Sequence, residues 1–493
     1  MCIHHLNRAH GHKPHFEPPS KKGAASAGDS RVPGIGNGGY DAQHYDADIK
    51  VGTDGALDAT SKMRALATQD LDQLNIDFVG FDIESVKVNG KKATFKREDG
   101  ELVVKPSEQL GKGQEFEVQV DYNGQPKPFP SKHAPVPLGW NTFEGGSYVV
   151  SEPDGTRAWL PVNDHPTDKA SYSFHLNVPK PMVAAANGVL TGVDEMDDSR
   201  TYHFEAKDQM ASYLSTVHVG DYVRSESVSP NGVPIRNYFP SDILKESEHD
   251  FGRVPEMMGF FSEKFGAYPF EVYGNIVMDA NLGGAAALET QTLPLYDRGM
   301  VSGNRRSERV LVHELAHHWF GNSVSPGDWK DIWLNEGLAS YSEMLWTEHD
   351  QGVEARDRAL VRAQQIVRRF GSSDPIAEPS PDGLFDSKVY QGGALAVHAL
   401  RKEVGDEAFF EILKTYGAQH RDSTATTDDL IAISSAVAKK DLHPFFQRWV
   451  YSSDLPEVPL DTPGLNDEMM LTSVDFKNRG LIPTPAEQML LTA

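Results

Sequence analysis

The feature that most constrains the fold is a pair of histidines four residues apart, with a glutamate further along the chain. His313 and His317 lie in the segment His-Glu-Leu-Ala-His, and Glu336 follows after 18 intervening residues. On a helix, residues four apart lie on one face, so both imidazoles can reach a single ion. Two histidines and one glutamate, with a fourth position left to water, form the ligand set of a catalytic zinc. The sequence therefore predicts one Zn²⁺ per chain, bound by His313, His317 and Glu336, with Glu314 as general base.

Two helices are predicted to carry this cluster. Most neighbours of the two histidines are apolar, which is typical of a buried helix that holds polar side chains for a functional reason. This helix is predicted to end at Gly321-Asn322. A second helix follows, with Asp328 or Asp331 as its N-cap and Glu336 in its first turn. A surface helix that matches the motif by chance would lack this setting.

Composition limits the classes of partner. A chain of 493 residues is too long for one ordinary core, so two or three domains are expected, and 39% hydrophobic with 24% charged residues is typical of a globular protein in water. The formal net charge of −24 argues against nucleic acid or an anionic membrane as the main partner. An acidic excess usually serves solubility, and here it would also favour a substrate with a cationic group.

Cysteine use and hydropathy bear on the compartment. Cys2 is the one cysteine in the sequence, so neither an internal disulfide nor a cysteine zinc site is expected. No apolar run is long enough to cross a bilayer, and the first residues contain no apolar signal-peptide core. The sequence as it stands therefore predicts a cytoplasmic protein with no membrane partner.

Short alternating runs dominate the chain from Gly39 onward. Polar and apolar residues alternate through 115–122, which predicts a half-buried strand, and Asn89-Gly90 separates two such runs as in a tight hairpin. Residues 39–243 are therefore predicted to form a mostly antiparallel β domain. Helical periodicity then takes over, and residues 244–455 are predicted to be a helix-rich catalytic domain. The expected fold class is α+β with several domains.

The two ends of the chain lack these patterns. Residues 1–38 are rich in His, Lys, Pro, Gly and Ser without a hydrophobic period, so we expect a leader with no fold of its own. Its histidines at positions 4, 5, 10, 12 and 15 could bind metal adventitiously, although a solvated tail is the simpler interpretation. Residues 456–493 are weakly patterned and are predicted to be a C-terminal tail.

Several stretches resemble the M1 family of zinc aminopeptidases, which belongs to the gluzincins. They are HELAHHWFGN at 313–322, WLNEGLASY at 333–341, AWLPVNDHP at 158–166, Met210–Tyr222, and VYQGGA at 389–394. The similarity covers about 39–455 and implies a saddle-like N-terminal β domain followed by a thermolysin-like, mostly helical zinc domain. The large C-terminal helical domain of many family members has no counterpart here, so the chain resembles a short form.

The resemblance also implies an activity, the hydrolysis of the N-terminal peptide bond of peptides with a free N-terminus. Tyr390 matches the family's catalytic tyrosine, which would stabilise the oxyanion, and Gly392 stands where the family usually has lysine. Glu289 matches the glutamate that binds the substrate's α-amino group, and Glu152 falls at the position of a second amine-binding residue. Two carboxylates at one point would hold an amine and reject an internal peptide bond.

The segment before Glu289 is implied to line the substrate groove. It matches the family motif G-x-M-E-N, and Ala286 and Ala287 are the candidate substrate-binding residues in it. This chain departs from the motif, since Ala286, Leu288 and Thr290 replace its Gly, Met and Asn. The first and last changes could alter how the backbone receives the substrate.

Three other functions stay open. A thermolysin-type endopeptidase would share the zinc set but has no use for paired amine anchors at Glu152 and Glu289. A non-catalytic binding protein would be expected to have lost zinc ligands or base, and all are present. A bifunctional hydrolase that also opens epoxides is known in one branch of the family. Asp331 and Glu343 are candidates for orienting the zinc ligands, and either could equally be a helix cap or a surface acid.

Some properties are not predicted from the sequence. The residue preference, the oligomeric state and whether the site is open or covered by a partner are among them. Residues 31–46 resemble the start of the mature part of secreted bacterial relatives, so secretion is an alternative to the cytoplasm.

Overall fold

The computed structural model describes residues 21–134, 136–280 and 287–465. Ala286 and the five histidines of the leader lie outside the described residues. The other predicted site residues lie within them.

The strands lie mainly in the first half of the chain. Their bounds are β1 Tyr40–Val51, β2 Leu57–Ala67, β3 Leu74–Asp77, β4 Asp82–Val88, β5 Lys91–Lys92, β6 Thr94–Glu98, β7 Glu101–Lys105, β8 Glu115–Gly124, β9 Gly139–Phe143, β10 Gly146–Val150, β11 Ala170–Pro179, β12 Val183–Ala186, β13 Val189–Glu195, β14 Ser199–Met210, β15 Val217–Gly220, β16 Tyr222–Val228, β17 Pro234–Pro240, β18 Tyr273–Met278, β19 Ala287–Leu288, β20 Leu295–Asp297, β21 Val324–Pro326 and β22 Ser423–Ala425. Asn89 and Gly90 join β4 to β5 with φ of 52° and 73°, which is the predicted tight hairpin.

The N-terminal sheets are mostly antiparallel, as predicted. An eight-stranded sheet has the order β13-β14-β11-β1-β2-β8-β4-β5, and only β1 and β11 pair in parallel within it. Two smaller sheets, β12-β15-β10-β9 and β3-β7-β6, are antiparallel. Apolar side chains of the alternating strands are buried on one face, because the side-chain period of a strand is two.

A five-stranded mixed sheet spans the boundary predicted at residue 244. Its order is β16-β17-β18-β20-β19, so β17, which precedes residue 244, pairs with β18, which follows it. Strand β17 lies parallel to β18, and β18 lies parallel to β20. Strand β19 is the terminal strand of this sheet within the described residues.

The helices fill the second half of the chain. Their bounds are α1 Leu244–Asp250, α2 Val254–Phe265, α3 Glu308–Ala316, α4 Trp333–Gln351, α5 Val353–Phe370, α6 Gly393–Val404, α7 Asp406–Gln419, α8 Thr427–Ala438 and α9 His443–Trp449. The helical stretch 244–266 is interrupted between Asp250 and Val254, and Pro255 lies in the first turn of α2. Thr426 caps α8 in a capping box with Asp429. Among the described residues, no helix is both long enough and apolar enough to cross a membrane.

Residues 21–38 pack on both halves of the protein, which differs from the solvated leader predicted from composition. Asp29 accepts hydrogen bonds from the backbone of Trp329 and from the ring of His165. Arg31 pairs with Glu378 at 2.6 Å. The prediction from composition was wrong because a few polar contacts hold this segment in place, and such contacts leave no apolar periodicity in the sequence.

Candidate active site

Helices α3 and α4 bring the predicted metal ligands together. His313 lies in α3, and His317 follows its last residue with φ −55° and ψ −26°, so the backbone stays helical and the two rings share a face. The predicted end at Gly321-Asn322 is wrong, since α3 ends at Ala316. After Ala316 the backbone continues as turns, because the N–H groups of His318 and Trp319 donate to the carbonyls three residues before them, those of Leu315 and Ala316, each at 3.1 Å.

Three ligand atoms converge at this point. Single donor atoms of His313, His317 and Glu336 all lie within 4.8 Å of one another, and all three residues are buried. Glu336 Oε2 lies 3.1 Å from His313 Nε2 and 3.4 Å from His317 Nε2. Glu336 is in the first turn of α4, as predicted.

The other nitrogen of each ring has a hydrogen-bond acceptor. His313 Nδ1 donates to Glu343 Oε1 at 2.8 Å, and His317 Nδ1 donates to the carbonyl oxygen of Phe320. In the neutral form of each ring, Nε2 then carries the lone pair and points at the cluster, which is the tautomer that binds a metal. Glu343 thus contacts a predicted ligand. Asp331 does not, because it accepts hydrogen bonds from the backbone and hydroxyl of Thr427 at the start of α8.

The electrostatics of the cluster favour a cation. Burial alone would lower the pKa of His313, but hydrogen bonds to Glu336 and Glu343 raise it well above its ordinary value. For His317, burial is likewise outweighed by Glu289 and Glu336, which raise its pKa to about 9. Burial would raise the pKa of Glu336, yet the two histidines lower it to about 2. Positive charge is therefore stabilised at this point.

Glu314 lies in α3 beside the same cluster. Burial raises its pKa to about 8, against the lowering influence of His313 and His317. One of its carboxylate oxygens lies within 4.8 Å of ligand atoms of Glu289 and His317. Its backbone carbonyl accepts a hydrogen bond from His318 Nδ1 at 3.1 Å, and His318 Nε2 accepts the N–H of Thr292 at 3.0 Å. His318 thus connects the backbone of Glu314 to the segment that follows Glu289.

Glu152 and Glu289 form a second buried acidic group beside the metal ligands. Oxygen atoms of Glu152, Glu289 and Glu336 lie within 4.8 Å of one another. Atom Oε1 of both Glu152 and Glu289 is buried and has no hydrogen-bond partner in the described part of the chain. Burial raises the pKa of Glu152 well above its ordinary value, and Glu289 is the next largest cause. Burial also raises the pKa of Glu289 itself.

The backbone around Glu289 is held from both sides. Asn322 Nδ2 donates to the Glu289 carbonyl at 2.7 Å, and the Thr290 hydroxyl donates to the carbonyl of Leu293 at 2.5 Å. Ala287 lies in the short strand β19, which pairs with β20. Thr290, which replaces the family's Asn, therefore closes the turn after Glu289.

Tyr390 lies on a single π-helical turn, Lys388–Gly392, that leads into α6. Its ring lies 6.0 Å from that of His313, with 15° between the planes. The turn is close to α4 because Gly337 and Gly393 meet there, and a Cβ added to Gly337 would lie 2.9 Å from Gly393 Cα. Burial raises the pKa of Tyr390 well above its ordinary value, so its phenol keeps its proton.

Two functional contacts were missed by the sequence reasoning. Lys169 lies in the N-terminal domain, and its Nζ donates to the carbonyls of Asn322 and Ser323 at 2.8 and 3.0 Å. It therefore holds the turn that follows α3. His318 is the second contact. Because His318 directly follows His317 in the sequence, it could have been predicted to lie near the site. Nothing in the sequence indicates that Lys169 contacts residue 322.

These residues suit zinc. Two imidazole nitrogens with fixed tautomers and one carboxylate, all buried, form a three-ligand set that leaves a further position for water or substrate. The fold and site therefore define a class: a protein with an N-terminal β domain, a helical second half and a buried two-histidine, one-glutamate metal centre.

Comparison with known proteins identifies the family. Residues 250–449 match the peptidase family M1 domain, and residues 41–214 match the peptidase M1 N-terminal domain. A solved M1 zinc metallopeptidase from Deinococcus radiodurans is 30% identical with a TM-score of 0.80, and the match covers 89% of this chain and 100% of that one. A mutant form of an M1 zinc metallopeptidase from the same organism, bound to a Tyr-Ser-Ala substrate, matches with a TM-score of 0.81 and 30% identity over 88% and 99% of the two chains.

Curated relatives are more distant. Leukotriene A-4 hydrolase of Xenopus laevis is 27% identical over 80% of this chain and 66% of its own length. Aminopeptidase N of Rattus norvegicus is 27% identical over 73% of this chain and 41% of its own length. The matched region thus spans about two fifths to two thirds of these relatives. The chain belongs to the M1 family of zinc peptidases, and the predicted family, fold class and zinc cofactor are confirmed.

Proposed function

We propose that this protein is a zinc aminopeptidase that hydrolyses the first peptide bond of peptides with a free N-terminus. One observation carries the proposal: the two buried carboxylates of Glu152 and Glu289, each with an unpartnered oxygen, lie beside the metal ligands. Buried ionised groups are costly unless they are paired, so this arrangement calls for a cation. The name of the rat relative, aminopeptidase N, supports the same activity.

A protonated α-amino group is the cation that fits a peptide substrate. It would donate hydrogen bonds to Glu152 and Glu289, each charge-assisted and worth about 1.5–3 kcal/mol. An internal residue offers a neutral amide at this point, which would leave both acids unpaired. The anchors therefore fix the N-terminus, and the first peptide bond is the one that reaches the metal.

The zinc would be held by His313, His317 and Glu336, and when bound it lowers the pKa of a ligated water and polarises the substrate carbonyl. Glu314 is proposed as the general base. Its carboxylate takes the proton of the attacking water and later passes it to the leaving nitrogen. The burial that raises its pKa suits a group that must hold a proton between these two steps.

Tyr390 is proposed to stabilise the oxyanion. Its phenol keeps its proton, and its ring lies beside that of His313. The O–H can therefore donate a hydrogen bond to negative charge that develops on the substrate oxygen. Strand β19, with Ala287, is the terminal strand of its sheet among the described residues, so its outer edge can pair with an extended substrate.

The test follows the products from one short peptide of mixed sequence by mass spectrometry. We expect residues to be released singly and in order from the N-terminus, with loss of activity after chelation and recovery after zinc is returned. Glu314→Gln is the matched control: it should keep zinc and the fold but lose at least about a hundredfold in kcat. Early internal fragments would instead support an endopeptidase and overturn the proposal.

A further inference from the structure

A second group of metal-binding side chains lies on the outer face of the eight-stranded sheet. Along β1, Tyr45 and Ala47 are buried, while Asp46 and Asp48 point to the opposite, partly exposed face. Asp48 lies directly opposite His175 in the pairing of β1 with β11. His175 in turn lies opposite His203 of β14. The polar side chains of β1, β11 and β14 are therefore neighbours across three adjacent strands.

The distances bring these side chains into one cluster. One atom each of Asp46, Asp48 and His175 lie within 4.8 Å of one another. His175 Nε2 lies 3.4 Å from Asp46 Oδ1, an oxygen that is buried and without a hydrogen bond to any described residue. His175 Nδ1 lies 2.7 Å from His203 Nδ1, and His203 Nε2 lies 3.0 Å from Asp194 Oδ2.

The hydrogen bonds of the two rings fix which nitrogen is left to bind a ligand. Asp194 can only accept, so His203 carries its proton on Nε2 and has a lone pair on Nδ1. His175 must then donate from Nδ1 to His203. Its remaining nitrogen, Nε2, is the one that lies 3.4 Å from Asp46 Oδ1. A carboxylate and a second ring that orient a histidine in this way are typical of metal sites.

Two occupants are possible for the space between Nε2 and the carboxylates. One is a proton, since the Asp46 carboxylate beside the ring raises the pKa of His175. The other is a metal ion, which would engage both Asp48 and the buried Oδ1 of Asp46. A proton on Nε2 can serve only one of these carboxylates well, whereas a divalent ion can bind both.

We propose that Asp46, Asp48 and His175 form a second binding site for a divalent transition-metal ion, separate from the catalytic cluster, with His203 and Asp194 as positioning residues. One imidazole and two carboxylates suit zinc and its neighbours in the first transition row, with water in the remaining positions. The proposal does not depend on the proposed peptidase activity, because none of these residues belongs to that site.

The test is equilibrium dialysis of the full-length protein against buffered micromolar Zn²⁺, followed by metal analysis. Wild type should hold one more zinc per chain than His175→Ala, and Asp48→Asn should weaken this zinc by at least tenfold. Asp48 is exposed, so its substitution leaves the fold intact. The histidines of residues 1–20 are the same in every variant and cancel in the comparison.

His44→Ala is the matched control. His44 lies on the same face of β1, but its two ring nitrogens contact the hydroxyls of Ser171 and Ser173 at 2.8 and 3.2 Å. This variant should keep the second zinc, and all three variants should keep peptidase activity. Equal zinc content in wild type, His175→Ala and Asp48→Asn would overturn the proposal, as would loss of the zinc in His44→Ala.

Discussion

Glu343 offers a quantitative prediction, because it contacts a proposed zinc ligand and not the metal. Its Oε1 accepts the Nδ1–H of His313 at 2.8 Å, and its Oε2 pairs with Arg309 Nε at 2.7 Å. The side chain is buried, so water cannot replace it easily as the acceptor for His313. We predict that Glu343→Ala weakens zinc binding while the three ligands stay in place.

The magnitude follows from what each substitution removes. Loss of such a ligand-orienting acceptor typically costs 10–100-fold in metal affinity, or about 1.4–2.7 kcal/mol. Glu343→Ala removes both the acceptor and the charge, so it should fall near the upper end. Glu343→Gln keeps an acceptor oxygen for His313 and loses only the charge, so it should fall near tenfold.

The assay is competition with a chelator of known zinc affinity, and Asp331→Ala is the control. Asp331 is also a buried acid close in sequence to the zinc ligands, yet it accepts its hydrogen bonds from Thr427 at 2.6 and 3.0 Å. Its loss should lower the free energy of unfolding by about 1 kcal/mol and leave zinc affinity unchanged. Wild-type affinity in Glu343→Ala, or an equal loss in Asp331→Ala, would refute the reasoning.

Three further predictions concern Tyr390, His318 and Lys169. Tyr390→Phe should lower kcat about a hundredfold with little change in KM, measured by steady-state kinetics, because it removes a donor used only in the transition state. His318→Phe leaves the Glu314 carbonyl and the Thr292 N–H unpaired and should lower the free energy of unfolding in urea by about 2 kcal/mol or more. Burial lowers the pKa of Lys169 to about 7, well below its value in the unfolded chain, so the unfolded chain binds more protons above pH 7. The free energy of unfolding of wild type, relative to Lys169→Met, should therefore rise by about 2 kcal/mol from pH 7 to pH 9 in urea titrations, and a constant difference would contradict this.

The metal centre was largely predictable because its main constraint is local. Two histidines four apart on one helix must share a face, and that spacing is visible in the sequence. Alternation along β8 and the Asn89-Gly90 turn likewise predicted real strands, because their pattern depends on burial of one face. The end of α3 was predicted too late, since the backbone changes to turns with three-residue hydrogen bonds at His318 and Trp319, before the glycine at 321.

Contacts between distant segments were not predictable. The pairing of β17 with β18 joins residues on either side of residue 244, and nothing in either strand specifies its partner. Lys169 reaches a turn more than a hundred residues away, and Asp29 reaches Trp329. Glu343 could be proposed only as one of two acids, because choosing it over Asp331 requires the packing of α4 against α3.

The most direct test of the central claim is kcat/KM for one peptide and its N-acetylated twin, in wild type and in Glu289→Gln. The paired anchors predict that wild type prefers the free peptide by at least about a hundredfold. In Glu289→Gln this preference should shrink by about tenfold or more, through a loss on the free peptide alone. Equal cleavage of both peptides by wild type, or an unchanged preference in the variant, would show that these carboxylates do not select the N-terminus.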